Sequence, residues 1–365
     1  MPFKQNMQAG TKQILFIVQY PENVSPSQRF RFELYKDVLQ QNGFAVTTQS
    51  FIDGYGYAII FKKGLFLRKC LSVVKGFLRR TKLLFTLKKF DFILLECGVA
   101  PVGPPLFEWI MIKLLKKKVI YDFDGAIWVP QVSEMNKLYG GLKNPAKVDA
   151  ICKWTYKVSC GNEFLCNYAK KYNKNVVYNP TCVDTEDHHN ILTNHNTEKV
   201  IIGWTGSFST LPYLKLVEPV LKKLQITYDV DFKIICNQKP QLDLKNVTYV
   251  EWTVENEVKE LANCQIGLMP LTHDEWSEGK CGFKLIQYLA LQIPAVASPV
   301  GVNKKIIEDA VNGFLCETEE QWYKAIEKLI LDKSLREKMG KAGRKKIEEK
   351  YSLRSNTANF LSLFS

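Results

Sequence analysis

The sequence contains no Cys-x-x-Cys pair, although it has ten cysteines. These cysteines are scattered, and several fall in apolar stretches, where a free thiol behaves as a small hydrophobic group. The four histidines show no metal-ligand spacing either. The sequence therefore argues against a disulfide framework and a structural zinc site, and it indicates a reducing compartment.

Long apolar runs are also missing. The N-terminal run at 14–18 is too short for a signal peptide, and no stretch reaches the 18 or so uninterrupted apolar residues that a membrane span requires. Residues 107–115 come nearest, but Glu108 and Lys113 interrupt them. The sequence therefore predicts a cytoplasmic protein.

Acidic residues are absent between positions 54 and 90, where ten lysines and arginines occur in a chain of net charge +13. Within residues 57–92 these cations alternate with apolar residues, which predicts one or two amphipathic helices with a cationic face. Such helices are typical of proteins that lie on an anionic membrane surface; a core-packed helix with a solvated basic face is the alternative. The candidate membrane contacts are Lys62, Lys63, Arg68, Lys69, Arg79 and Arg80. No aromatic-basic recognition motif favours a nucleic-acid partner.

Strands and helices alternate along both halves of the 365 residues. The first half opens with a strand at 12–19, a helix at 28–41 and a strand at 45–51, and the second half restarts with a strand at 200–204. This order predicts an α/β fold of two Rossmann-like, doubly wound domains facing a central cleft, which would hold the ligand. The first strand lacks a following G-x-G-x-x-G, which argues against a dinucleotide dehydrogenase.

Composition suggests the domain boundaries. The first domain is predicted at 1–184 and the second at 199–350, joined by a polar, aperiodic linker at 185–198. A C-terminal tail at 351–365 is expected to pack back on the first domain.

The stretch 274–316 contains two loops that each lead from a strand into a helix. Helix N-termini present backbone N–H groups and partial positive charge, which suits a phosphate. Lys280 and Lys284 are four residues apart and can share a helix face. The stretch favours a phosphate site, although an ordinary βαβ unit with two solvated lysines has the same spacing.

Several motifs resemble those of family-four retaining glycosyltransferases of GT-B fold, in particular the polysaccharide-assembly type. In the second half they are 203–207 (GWTGS), 279–284 (GKCGFK), 287–290 (QYLA), 294–303 (PAVASPVGVN) and 312–314 (NGF). In the first half, 121–128, 161–165 and 180–184 are similar to motifs of that type.

The resemblance implies that the first domain is the acceptor side and the second binds a nucleotide-diphosphate sugar. The implied catalytic residues are Lys280, Lys284 and Asp124. The implied donor contacts are Gly206, Ser207, Glu278, Gly282, Phe283, Gln287 and Asn303. Three positions depart from the family pattern: Gly279 and Gln287 stand where two glutamates are usual, and Ser207 replaces a basic residue.

The implied function is transfer of a hexose, with retention, to a glycan or lipid-linked acceptor in cell-surface polysaccharide biosynthesis. The expected location is cytoplasmic, peripherally on the inner face of the membrane. No metal or other cofactor is expected. The sequence Asp122-Phe123-Asp124 matches the Asp-x-Asp pattern of a metal motif, but it falls on the acceptor side. The alternatives are a nucleotide-sugar 2-epimerase of related fold and a non-catalytic nucleotide-sugar-binding homologue.

Overall fold

The computed structural model describes residues 10–60, 62, 64–129, 144 and 146–365. The chain divides into two compact units. Unit 1 consists of Met1–Asn179 and Thr357–Ser365, and unit 2 of Pro180–Asn356. Each unit is built on a six-stranded sheet whose paired strands are parallel. This confirms the predicted α/β class with two Rossmann-like domains.

The sheet of unit 1 has the strand order β2-β1-β3-β4-β5-β6. Its central strands are apolar along their length because layers cover both faces of such a sheet; residues 14–18 of β1, for example, are fully buried. The strands are β1 (Lys12–Val18), β2 (Phe44–Ser50), β3 (Phe92–Glu96), β4 (Lys118–Phe123), β5 (Lys157–Cys160) and β6 (Val176–Tyr178).

The first helical region of unit 1 differs from the prediction. The continuous helix predicted at 28–41 is interrupted at Phe32, whose φ of −149° leaves the helical region. The apolar run at 107–115 lies in a single α-turn that continues as a π-helical turn at Ile110–Leu114. The helices are α1 (Pro26–Arg31), α2 (Lys36–Gln41), α3 (Gly54–Ile60), α4 (Phe66–Leu84), α5 (Leu106–Trp109), α6 (Lys147–Trp154) and α7 (Glu163–Lys170).

The sheet of unit 2 has the strand order β12-β11-β10-β7-β8-β9. Its strands are β7 (Val200–Gly206), β8 (Val230–Cys236), β9 (Val247–Glu251), β10 (Ile266–Met269), β11 (Ala295–Ala297) and β12 (Gly313–Leu315). Its helices are α8 (Glu218–Thr227), α9 (Glu257–Leu261), α10 (Glu275–Glu278), α11 (Phe283–Ala290), α12 (Asn303–Ile306), α13 (Glu319–Leu331) and α14 (Lys333–Lys350).

The predicted linker at 185–198 is part of unit 2, and the chain passes between the units at residues 179–180 and 356–357. The Arg344 guanidinium of α14 explains this difference. It donates hydrogen bonds to the backbone carbonyls of Thr185 (2.6 Å), His189 (2.5 Å) and Ala290 (2.5 Å). The polar composition of the segment indicated a solvated linker, but two of its carbonyls accept hydrogen bonds from a side chain 155 and 159 residues away in sequence.

The last helix, α15 (Leu353–Leu361), starts in unit 2 and ends in unit 1. Phe360 is buried in unit 1 and stacks on Tyr35, with ring centroids 4.0 Å apart and an interplanar angle of 7°. Phe364 packs against Phe44 and Phe92, each at 5.8 Å. Residues 357–365 are therefore a structural part of the unit 1 core.

We expect Phe360→Ala to lower the free energy of unfolding by about 3–5 kcal/mol, because it leaves a cavity beside Tyr35. Urea unfolding followed by circular dichroism measures the change. Phe85→Ala, at a side chain that is 83% exposed, is the matched control and should change stability by less than about 0.5 kcal/mol. Equal effects of the two substitutions would contradict the packing described.

Candidate functional site

The candidate site of unit 2 lies where the strand order reverses. From β7 the chain adds β8 and β9 on one side, and from β10 it adds β11 and β12 on the other. Ligands of open parallel sheets bind outside the carboxyl ends of the strands at such a switch point. In this chain those ends lead to Gly206 after β7 and to the loop before α11 after β10.

Helix α11 begins at Gly282, where only glycine fits. Its φ of +70° lies in the left-handed region, and a Cβ there would overlap Cδ1 of Ile306. Glycine also has no side chain that could cap the helix. The first turn of α11 therefore supplies its positive dipole end and backbone N–H groups, including that of Phe283, to the site.

The Lys284 ammonium lies 5.3 Å from the ring centroid of Trp204 on β7. Trp204 is buried and Lys284 is half-buried. In the described part of the chain, no hydrogen bond or ion pair engages this ammonium. Burial, together with the charge of Lys280, lowers the pKa of Lys284 to about 7. A cation without an anionic partner in this setting is suited to an anion that comes from outside the chain.

Lys280 is brought close to Lys284, but not along a helix face as predicted. It precedes α11, in the loop, and its ammonium lies 4.5 Å from the ring centroid of Trp276. The two ammonium groups nevertheless interact, since Lys280 lowers the pKa of Lys284. The pair thus concentrates positive charge at the start of α11.

Gly206 is the last residue of β7, and Ser207 begins the turn that follows. A Cβ at Gly206 would lie 2.6 Å from Cη2 of Trp204 and 2.7 Å from Oγ1 of Thr210, so the close approach of the indole requires glycine here. Ser207 is exposed, and its hydroxyl lies 2.8 Å from that of Ser209. The structure therefore brings this turn next to the indole over which Lys284 lies.

The loop after β11 packs against the residues before α11. Gly301 has a φ of +53°, and a Cβ there would lie 2.9 Å from the Glu278 carbonyl oxygen. Two residues later, the buried Asn303 donates from Nδ2 to the Ser298 carbonyl at 3.0 Å. Its Oδ1 has no partner among the described residues. The structure thus places Glu278, the last residue of α10, and Asn303, the first residue of α12, at the same edge of the sheet.

Gln287, a predicted donor contact, has partners within unit 2. Its side chain is buried, and Nε2 donates to Oε1 of Glu257 on α9 at 2.7 Å and lies 3.5 Å from Nε2 of His189. The donor contact of Gln287 stays a prediction. The sequence carried no signal for Glu257 as a partner, because the two residues lie 30 positions apart on different helices.

The candidate residue of unit 1, Asp124, follows β4 and accepts a hydrogen bond from Oγ of Ser27 at 2.5 Å. Nearby Asp122 instead forms a buried ion pair with Arg31, at 2.5 and 3.1 Å. Glu96, at the end of β3, was not predicted; burial and then the charge of Asp124 raise the pKa of its carboxyl to about 8. Among the described residues, no group of three or more His, Cys, Asp or Glu is arranged to hold a metal.

Two predicted membrane contacts are directed into unit 1. Arg80 was wrongly placed on the surface: it is buried, and it donates to the carbonyls of Val18 (2.6 Å), Gln49 (3.0 Å) and Val99 (2.9 Å). Helical periodicity explains this, because Arg80 shares a helix face with the small residues at 72 and 76. Arg79 pairs with Asp53 at 2.5 Å.

The other four predicted contacts differ in placement. Lys62 and Arg68 are exposed, Lys69 is half-buried, and Lys63 lies outside the described residues. No helix in the described part of the chain is long and apolar enough to cross a bilayer.

The pKa of Lys284 has a consequence for stability. Unfolding restores its usual pKa of 10.5, so the unfolded chain binds more protons between pH 7 and 10, and stability rises with pH in this window. We expect Lys284→Met to remove this slope. The free energy of unfolding of the variant should therefore exceed that of the native chain most below pH 7, and the difference should narrow above pH 7. Urea unfolding at several pH values between 6 and 10 measures the effect. Lys304→Met, at an exposed lysine, controls for the loss of one charge, and equal slopes in all three proteins would contradict the burial of Lys284.

Comparison with known proteins finds relatives of one enzyme class. Residues 192–346 match the family model of group 1 glycosyl transferases. A human relative, alpha-1,3/1,6-mannosyltransferase ALG2, is 38% identical over 72 residues, which are 20% of this chain and 17% of that protein. The matched stretch thus spans less than a fifth of this curated relative.

Three solved structures share the fold over nearly the whole chain. Sucrose-phosphate synthase from Thermosynechococcus elongatus has a TM-score of 0.69 at 14% identity, covering 97% of this chain and 98% of that one. A glycosyltransferase from Rickettsia africae has a TM-score of 0.67 at 18% identity, with coverage of 97% and 98%. Anabaena HepE in complex with UDP-glucose has a TM-score of 0.66 at 13% identity, with coverage of 96% and 99%. The chain therefore has the GT-B fold, and its residues 192–346 are similar to the group 1 glycosyl transferases.

Proposed function

We propose that this protein transfers a hexose from a nucleotide-diphosphate sugar to a hydroxyl group of a glycan or lipid-linked acceptor, with retention at the anomeric carbon. Cell-surface polysaccharide biosynthesis is the process that we assign to it. The match of residues 192–346 to group 1 glycosyl transferases supports the reaction class. HepE, whose fold is similar, was solved with UDP-glucose, which supports a nucleotide-sugar donor.

The single observation that carries the proposal is the Lys284 ammonium. It lies at the switch point of the sheet, over Trp204 and close to Lys280, and the described part of the chain supplies no anion for it. A diphosphate would meet two ammonium groups and the dipole of α11 at this position. The proposal assigns Gly206, Ser207, Gly282 and Phe283 to the same diphosphate.

The arrangement suits stabilisation of a leaving group. During transfer, the bond between the anomeric carbon and the phosphate oxygen breaks, and negative charge builds on the nucleoside diphosphate. Lys280, Lys284 and the amides at the start of α11 offset that charge without reorganising, because the fold already holds them in place. The acceptor oxygen forms the new bond on the same face of the sugar, and its proton passes to the departing phosphate oxygen.

Unit 1 would supply the acceptor side. Asp124 is fixed by the hydroxyl of Ser27 at 2.5 Å and lies at the carboxyl end of β4, the edge at which parallel sheets place ligands. In this proposal Asp124 accepts a hydrogen bond from an acceptor hydroxyl. Glu278 at the end of α10 and Asn303 at the start of α12 are assigned to the hydroxyls of the transferred sugar.

We also propose that the protein works at the inner face of an anionic membrane. The exposed cations of residues 57–92, among them Lys62 and Arg68, support this. Each basic residue near such a surface contributes about 1 kcal/mol to the binding free energy. Acidic residues are absent from positions 54 to 90. Arg80 is buried and is not part of this surface, and Arg79 forms an ion pair with Asp53.

Diphosphate binding should take up a proton at pH 8. Lys284, with a pKa of about 7, is mostly neutral there in the free protein, and a bound diphosphate favours its charged form. Calorimetric titration with UDP and GDP in buffers of different ionisation enthalpy counts the protons. We expect Lys284→Met to abolish the uptake and to weaken binding by about 10-fold or more.

Lys304→Met is the matched control for this titration and should behave as the native chain. Lys280→Met should weaken binding as well, since it removes the second ammonium group. If both site variants keep native affinity and native proton uptake, the diphosphate is bound elsewhere and the assignment of the two lysines fails.

The reaction class is tested by a thermal-shift screen of nucleotide-diphosphate sugars, followed by turnover of the best donor with glycan and lipid-linked acceptors. A donor at about 100 times its Kd should stabilise the protein by roughly 2.7 kcal/mol. The product should keep the anomeric configuration of the donor, which proton NMR reads directly. Conversion of the donor to its 2-epimer without an acceptor, or binding without turnover on every acceptor, would overturn the transferase assignment.

A further inference from the structure

Helix α4 carries an apolar stripe that faces solvent. Leu67, Leu71, Val74 and Leu78 are 76%, 59%, 54% and 57% exposed. Their spacings of four, three and four residues place them on one helix face. Phe85, which directly follows the helix, continues the stripe and is itself highly exposed.

The opposite face of α4 is anchored in unit 1, so the outward direction of the stripe is fixed. Its buried residues are Ser72, Gly76, Arg80 and Leu83. Gly76 lies so close to Phe51 that a Cβ would be 2.6 Å from the ring. Arg80 adds hydrogen bonds to three backbone carbonyls outside the helix. Rotation of α4 to cover its stripe would break all of these contacts.

A row of cations runs beside the stripe. Arg68, Lys75 and Lys82 are exposed and lie seven residues apart, which is close to two helical turns. At about 100° per residue, the row lies roughly 70° from the centre of the stripe. No acidic residue occurs between positions 54 and 90, so the charge of the row is not balanced within this segment.

The other side of the stripe meets α5. Phe77 lies on this side of α4, and its ring centroid is 6.2 Å from that of Phe107. Leu106 and Trp109 of α5 are exposed. The apolar surface therefore widens away from the cations, and it includes an indole, a group that favours the boundary between headgroups and acyl chains.

We propose that this stripe inserts into the headgroup boundary of an anionic bilayer, with α4 lying in the membrane plane and the row of Arg68, Lys75 and Lys82 on the lipid phosphates. The inference deepens the proposed function and rests on it in one respect, since it makes the acceptor a lipid-linked molecule of the same bilayer. The pattern of charge on α4 favours a bilayer over other partners. A bilayer offers an apolar layer beside a continuous sheet of negative charge, which matches an apolar stripe with a parallel cationic row.

The test uses the full chain and two kinds of vesicle, phosphatidylcholine alone and phosphatidylcholine with phosphatidylglycerol. The native protein should sediment with the anionic vesicles. The triple variant Leu67→Ser, Leu71→Ser, Leu78→Ser should lose binding by roughly tenfold or more, because three apolar side chains no longer leave water. Ile226→Ser with Leu331→Ser, two comparably exposed residues of unit 2, is the matched control and should bind as the native chain.

A second variant separates the two parts of the surface. Arg68→Gln, Lys75→Gln, Lys82→Gln should lose the preference for anionic vesicles. Native binding by the stripe variant would overturn the insertion, leaving charge attraction alone. A native dimer in light scattering that becomes a monomer in the stripe variant would instead assign the face to a second copy. Nucleotide binding by the stripe variant should equal that of the native chain, so a failure of this inference is distinguishable from a failure of the transferase proposal.

Discussion

The Lys284 ammonium is held against the indole of Trp204 with a second lysine close by and with no counter-ion in the described part of the chain. A half-buried cation in this position opposes folding, since both burial and like charge favour its neutral form. A folded protein tolerates such an unfavourable group where the surrounding contacts hold it in place, and binding sites are rich in groups of this kind. The side chains of unit 2 that surround Lys284 hold its ammonium group in place.

Tyr288 is the main support. It lies one helical turn after Lys284 on α11, and its ring packs so closely on Gly267 of β10 that a Cβ there would lie 2.5 Å from the ring. Its hydroxyl accepts from the Thr205 amide at 3.2 Å and donates to the Leu268 carbonyl at 3.1 Å. Tyr288 thereby ties α11 to β7 and β10, the two strands at the switch point. Because Trp204 precedes Thr205 on β7, the same contact sets the distance from Lys284 to the indole.

The sequence predicted those parts of the structure that repeat along the chain. Runs of apolar residues predicted the parallel strands. The sequence Thr318-x-x-Gln321 has the spacing of a capping box, and such a box begins α13. The phosphate-site prediction at Lys280 and Lys284 followed from the strand-loop-helix order. In the structure the charge of Lys280 contributes to the lowered pKa of Lys284, and the bound phosphate stays a prediction.

The structure goes beyond what the sequence predicted where a single side chain reaches a distant partner. Arg80 bonds to carbonyls up to 62 residues away, Gln287 to Glu257 across 30, and Arg344 to Thr185 across 159. Composition and periodicity assign a residue to a face but do not identify its partner. For Arg80, the small residues at 72 and 76 on the same face were a usable signal, because small residues mark the close-packed side of a helix. For Gln287 and Arg344, the sequence contained no signal that would identify the partner.

The chain uses positive charge in two physically different ways. Lys284 is sheltered from water, so its attraction for an anion is strong at short range and is only weakly screened by salt. The row on α4 is exposed, so its attraction for a charged surface extends farther but is screened within about 8–10 Å at ordinary ionic strength. The first arrangement is suited to one well-placed anion, and the second to the average charge of a surface. A net charge of +13 by itself indicates only that a partner is acidic; burial decides which cations recognise a molecule and which recognise a surface.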